Sequence, residues 1–195
     1  MTVYKIVLIG DGGVGKTAIR ERYLGHGFKA QYNLTIGADF AMYNTQIDGA
    51  PIRYQIWDLA GQQRFDLVRE VYYRGCVGAL LVYDVTRPES YFNIPKWINE
   101  YWSKNGRGRL PLVVVANKID MRELADETIS TEQGWVLTQR LSNLTKPDGF
   151  ECNFIETSAK TGINIAKAFD LLGLNLMSWL EKKRNVISHK TTMKE

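Results

Sequence analysis

Between an apolar run and a segment of helical spacing lies Gly10-Asp11-Gly12-Gly13-Val14-Gly15-Lys16-Thr17, where Lys and Thr follow the last of four glycines. Glycines admit positive φ, so successive N–H groups can turn to one side as an anion nest, and a helix opening at Lys16 adds its dipole. A di- or triphosphate is the ligand that suits such a loop. Lys16 would neutralise the outer phosphates. The Thr17 hydroxyl is an oxygen ligand for Mg²⁺, which favours octahedral oxygen coordination. A Gly-rich turn without a ligand needs neither residue after its last glycine. Alone, the loop does not separate GTP from ATP, or a hydrolase from a kinase.

Other residue groups answer those questions. Asn117-Lys118-Ile119-Asp120 follows a strand-like run, so its side chains emerge where ligands of open α/β sheets bind. Asp120 can accept from both N1–H and the 2-amino group of guanine, whereas adenine offers neither donor. Leaving such a partner unpaired costs on the order of 10⁴ to 10⁵ in selection. In Thr157-Ser158-Ala159-Lys160 a small residue lets a backbone N–H approach the guanine O6. Thr35, in a loop with Tyr32 and Asn33, offers a hydroxyl to Mg²⁺ only when a γ-phosphate is present. Asp58 ends a strand-like run and can hold Mg²⁺ through water. Gly61 can aim its N–H at the γ-phosphate, and Gln62 can orient the attacking water. Each of these segments has a plainer reading as a surface turn or a solvated loop.

The elements that must position these residues are legible as alternating patterns. Strands are expected at 3–9, 39–47, 52–58, 77–83, 112–116 and 153–155, and helices at 16–24, 66–74, 90–104, 131–144 and 163–183. Short Val-, Ile- and Leu-rich runs separated by crossover helices imply a mostly parallel sheet covered on both faces. Asp48-Gly49 between two runs marks a hairpin, so that pair should be antiparallel. The expected fold class is α/β, with a six-stranded mixed sheet. In the last helix Ile165, Phe169, Leu172, Leu176 and Leu180 form one apolar stripe and belong to the core. One domain is expected over 1–184, followed by a polar, basic, flexible tail at 185–195.

Composition removes several classes of function. The chain has 195 residues, 45% apolar and 24% charged, which suits one folded domain. No run approaches the roughly 20 apolar residues of a membrane span, and no secretory signal is visible. A cytoplasmic address follows by default. The cysteines Cys76 and Cys152 lie far apart from each other and from His26 and His189, so zinc and disulfide frameworks are not expected. The net charge of +4 owes much to Lys182, Lys183, Arg184, Lys190 and Lys194. A basic end without aromatic interleaving does not make a nucleic-acid face, so no nucleic-acid partner is expected.

GDGGVGKT, Thr35, DLAGQ, NKID and SAK, in this order, resemble the five nucleotide-binding motifs of the Ras superfamily of small GTPases, over roughly residues 3–183. The chain is most similar to the Rab branch, through Ile36-Gly-Ala-Asp-Phe40, Tyr54-Gln-Ile-Trp-Asp58, Arg64-Phe65, Tyr72-Tyr-Arg-Gly75 and Leu81-Val-Tyr-Asp-Val-Thr86. The resemblance implies a P-loop NTPase G domain. It implies that Gly12, Gly13, Val14, Gly15, Lys16, Thr17 and Ala18 wrap the phosphates, with Tyr32, Thr35 and Gly61 near the terminal one, and that Phe28 lies against the guanine edge. Thr17 and Thr35, with Asp58, would hold Mg²⁺. Asn117, Lys118, Asp120, Ser158, Ala159 and Lys160 would read the base. Gln62, Lys16 and Gly61 would carry hydrolysis of GTP to GDP.

Phosphoryl transfer of this kind is mostly positioning and charge stabilisation. No arginine of this chain is placed by sequence at the transferring phosphate, so hydrolysis should be slow until an activating protein supplies one, for which Gly12 leaves room. Loss of the γ-phosphate should release loops 32–40 and 59–75, making the protein a monomeric switch read by effector, GTPase-activating and exchange proteins. Phe40, Trp57 and Tyr72 resemble the aromatic set that Rab effectors read, although Trp57 equally fits partly buried core. Leu59 stands where the family usually has Thr, and Gln63 where it usually has an acid. The chain ends without the cysteine that carries the Rab prenyl group, and Met1-Thr2 lacks the glycine needed for myristoylation. No covalent membrane anchor is therefore expected; weak peripheral contact of the basic tail with an anionic lipid surface is the lesser reading beside a solvated tail.

Two other functions stay open at this point. One is a GTP-binding interaction scaffold with negligible hydrolysis, suggested by Leu59 and Gln63. The other is an ATP-using kinase with the same phosphate loop, which would need adenine to be preferred over guanine.

Overall fold

The computed structural model describes residues 2–28, 35, 37–61 and 66–192, with the side chains of 66–68 and 185–192 excepted. Six strands form one sheet in the order β2-β3-β1-β4-β5-β6. They are β1 (Thr2–Ile9), β2 (Ala38–Ile47), β3 (Ala50–Leu59), β4 (Gly78–Asp84), β5 (Leu112–Asn117) and β6 (Asn153–Glu156). Among the described residues only β2 and β3 pair antiparallel, and the other pairs are parallel. Ile47 faces Ala50 across the turn, and both turn residues, Asp48 and Gly49, have positive φ (48° and 75°). That is the two-residue hairpin the Asp-Gly pair calls for, because mirror-image turns match the twist of the strands.

Six α-helices among the described residues cover the sheet: α1 (Lys16–Tyr23), α2 (Asp66–Tyr73), α3 (Pro88–Phe92), α4 (Ile94–Lys104), α5 (Thr131–Thr145) and α6 (Ile165–Thr192). Alternation along the strands divides the core in two. Ile6, Leu8, Leu80, Val82, Val113 and Val115 face Ile19 of α1 and Phe169, Leu172 and Leu176 of α6. Val7, Ile9, Leu81, Tyr83, Val114 and Ala116 face Tyr73 of α2, Trp97, Ile98 and Tyr101 of α4, and Leu141 of α5. The central parallel strands are buried on both faces, which is why they read as continuous apolar runs.

Two helices depart from expectation. The single helix expected at 90–104 is two, broken at Asn93, which ends α3 and begins α4. Pro95 has no N–H to return to the Tyr91 carbonyl, so one continuous helix cannot form there. The last helix, expected to end near residue 183, continues to Thr192 across the segment read as tail. Its apolar stripe stops earlier, and α-helical backbone needs no apolar stripe to propagate once nucleated. Among the described residues, no helix is long and apolar enough to cross a membrane.

Candidate functional site

In a parallel sheet the carboxyl ends of the strands share an edge, and here β1, β3, β4, β5 and β6 deliver five connections to it. The Gly-rich loop leaves β1. Gly10, Gly13 and Gly15 have φ of 135°, 80° and 101°. A Cβ on Gly10 would strike the Val82 carbonyl, and one on Gly15 would strike the Asn117 amide. Close approach and backbone sign therefore both demand glycine at these two positions.

Four of the loop carbonyls are taken by protein donors. Lys16 Nζ donates to Gly10 O at 2.7 Å and to Asp11 O at 2.8 Å. Arg87 Nη2 donates to Gly12 O at 2.8 Å, and Asn117 Nδ2 to Val14 O at 2.8 Å. No side chain caps the first turn of α1, whose N-cap is Gly15. The orphan N–H groups of that turn and of the loop are thus left for an anion. Lys16 is buried, and desolvation lowers its ammonium to about 8 against the pull of Asp58 and Asp11. A phosphate beside it would raise that value again.

Thr17, Thr35 and Asp58 come from α1, from the segment before β2 and from the end of β3. The Thr17 and Thr35 hydroxyls lie 2.9 Å apart, and Thr17 donates to Asp58 Oδ2 at 2.5 Å. Asp58 is fully buried and its pKa is raised, first by desolvation; its Oδ1 has no hydrogen-bond partner among the described residues. A buried carboxylate with an unsatisfied oxygen beside two hydroxyls is a set of hard oxygen donors, and it fits Mg²⁺. Gly61 lies against the loop so closely that a Cβ would strike the Gly12 nitrogen and the Gly10 carbonyl oxygen. Tyr32, Gln62 and Gln63 lie outside the described residues, as do Asn33, Ile36, Arg64 and Phe65.

The residues expected to read the base meet at the ends of β5 and β6. Asn117 is a buried hub: besides donating to Val14, its Oδ1 accepts from Thr157 Oγ1 at 3.1 Å and from Ala159 N at 3.2 Å. Ser158 Oγ donates to Asp120 Oδ1 at 2.5 Å, leaving Oδ2 without a protein partner among the described residues. Lys118 adopts φ 67° and pairs with Asp84 Oδ2 at 2.7 Å. Lys160 is exposed, and its carbonyl accepts from Arg22 at 2.5 Å. Phe28 is exposed at 45%. Ala18 is partly buried against the α1 side of the core.

Residues that the sequence reading passes over also touch the loop. Asp11 accepts from Trp97 Nε1 at 2.7 Å and from Asn93 Nδ2 at 2.8 Å, so the α3–α4 break serves to hold the loop. Arg69 of α2 lies over the Trp97 ring at 4.5 Å and grips Glu100 through Nε (2.7 Å) and Nη2 (2.9 Å). Arg87, which the sequence reading does not single out, also reaches the phosphate loop, through the Gly12 carbonyl. Its signal was available, since a residue just past a parallel strand falls on the ligand edge. Leu59 is buried core rather than part of the site. Phe40 is half exposed and stacks on Trp57 at 5.0 Å, while Trp57 tilts against Tyr72 at 5.3 Å.

A sequence model of the Ras family matches residues 5–178. The chain is 37% identical over 183 residues to Ras-related protein Rab-8 of Diplobatis ommata, covering 94% of this chain and 81% of that protein. It is 36% identical over 181 residues to Ras-related protein YPTC6 of Chlamydomonas reinhardtii, covering 93% and 78% respectively. It is 35% identical over 190 residues to Ras-related protein RABA2a of Arabidopsis thaliana, covering 97% and 82%.

Proposed function

This chain belongs to the Ras family and is a Rab-like small GTPase, and from that premise we propose that it is a Mg²⁺-dependent switch that slowly hydrolyses GTP to GDP. One observation carries the reading most: Thr17, Thr35 and the half-satisfied, buried Asp58 converge beside a loop whose carbonyls are occupied. Thr17 and Thr35 would hold the ion directly, and Asp58 through water. When bound, the ion would supply positive charge to offset that on the phosphates.

The protein's own groups do the rest. Loop N–H groups and Lys16 position the phosphates, and Asp120 and Lys118, with the Ser158-Ala159-Lys160 loop, select guanine over adenine. Gly61 turns toward the terminal phosphate and Gln62 orients the attacking water. Loops 32–40 and 59–75 then report the γ-phosphate to effector, GTPase-activating and exchange proteins. The scaffold reading loses the support of Leu59, which packs in the core beside Val7 and Ile9.

Single-turnover hydrolysis of GTP with Mg²⁺ tests the proposal, with Gln62→Leu and with ATP as the control substrate. Slow GTP turnover that the variant abolishes while keeping GTP affinity is expected. Tight ATP binding would remove Asp120 from its role, and equal turnover in both proteins would remove Gln62.

A further inference from the structure

The site contains a cation that the proposed mechanism does not use. Arg87 follows β4, and its side chain reaches across 75 residues of sequence to the Gly12 carbonyl at 2.8 Å. Its own backbone is pinned. The Arg87 N–H donates to Asp84 O at 3.1 Å, and its carbonyl accepts from the Ser90 N–H at 3.0 Å and the Ser90 hydroxyl at 2.7 Å. Pro88 then opens α3 at its first turn. The guanidinium thus projects from a rigid corner.

No carboxylate pairs with Arg87 among the described residues. The peptide that Arg87 grips matters as well. A trans peptide is planar, with C=O and N–H pointing in opposite directions. With the Gly12 carbonyl drawn toward Arg87, the Gly13 N–H must point away from it. That N–H has no backbone partner among the described residues. A charged donor on the carbonyl also polarises the peptide and strengthens its N–H as a donor.

We infer that Arg87 is a positioning residue for GTP hydrolysis: through its bond to the Gly12 carbonyl it fixes and polarises the Gly12–Gly13 peptide so that the Gly13 N–H serves the phosphates. This rests on the reading of the loop as a GTP site. Donors aimed at charge that develops during transfer count more in the transition state than in the bound ground state. Arg87 should therefore affect the hydrolytic step more than binding. This would be an arginine supplied by the chain itself, acting through the loop rather than by touching the phosphate.

The test uses the full chain with Arg87→Met, which keeps the apolar stem but not the donor, and Arg87→Lys, which keeps a cationic donor. Affinities for GDP and a non-hydrolysable GTP analogue are measured beside single-turnover hydrolysis. For Arg87→Met, hydrolysis about tenfold slower is expected, with affinities changed less than about threefold, and Arg87→Lys should recover part of the rate. Unchanged hydrolysis in Arg87→Met would overturn the inference. So would hydrolysis and affinity falling together in both variants, which is what a merely structural contact produces. If the wild type binds no guanine nucleotide, the reading of the site fails first, visibly and before any variant is compared.

Discussion

The Thr17 hydroxyl donates to Asp58 Oδ2 at 2.5 Å, joining the first turn of α1 to the last turn of chain in β3. Neither element could present this pair alone. The bond exists because β1 and β3 are parallel neighbours, with Leu8 in register with Asp58. It keeps a buried carboxylate beside the phosphate loop with one oxygen still to be satisfied.

Removing that hydroxyl should therefore weaken nucleotide binding chiefly when Mg²⁺ is present. For Thr17→Ala, GDP affinity should fall at least about tenfold in Mg²⁺ buffer, the size of a lost hydrogen bond to a charged group. With the ion chelated, wild type and variant should differ much less. Titration with a fluorescent nucleotide under both conditions reads the contrast, and an equal loss in each would place Thr17 outside the metal site.

The Arg69–Glu100 pair is buried, and Tyr73 OH also donates to Glu100 at 2.9 Å. Taking one partner from a buried ion pair costs about 3 to 5 kcal/mol, while replacing both with apolar groups often costs little. Glu100→Ala should accordingly lower stability by about 3 kcal/mol. Arg69→Met with Glu100→Leu should lower it less than Glu100→Ala alone. Urea unfolding of the three proteins decides this.

Asn117 and Asp120 should fail in different ways. Asn117→Ala strips partners from the Val14 carbonyl, the Thr157 hydroxyl and the Ala159 N–H, all at the heart of the site. It should reduce stability by about 2 kcal/mol and weaken GTP strongly without improving ATP. Asp120 is only partly buried. Asp120→Ala should leave stability nearly unchanged while narrowing the gap between GTP and ATP in competition binding.

Both cysteines are buried, and desolvation pushes their thiols from an ordinary 9.0 to about 12. Because the folded values lie above the unfolded ones, the thiols sustain stability below about pH 9, and that contribution is lost as pH rises toward 12. At pH 8 neither should react with Ellman's reagent until the chain opens. Prompt labelling of the native protein would contradict this burial.

Much of the site was legible because its chemistry is local. The loop from Gly10 to Thr17, and the Asn117-Lys118-Ile119-Asp120 segment, each hold their ligand groups within a few residues of a strand end. Strand periodicity then says where that end lies, and Asp48-Gly49 announced the antiparallel pair. The division at Asn93 was missed although Pro95 lies in plain view, because the apolar spacing runs on through both helices and outweighed the missing donor. The end of α6 was missed for a related reason: helical backbone continues past the residues that pack.

Residue type and short-range period were enough to mark the candidate ligand groups, the parallel core and the order of the motifs. Only the tertiary structure decided which distant side chains complete the loop: Arg87 on Gly12, Trp97 and Asn93 on Asp11, and Asn117 on Val14. Their contacts are set by the order in which parallel strands lie side by side, which brings strand ends far apart in the chain to one edge. No local pattern encodes that adjacency, because each bond forms only after the whole sheet has placed both partners.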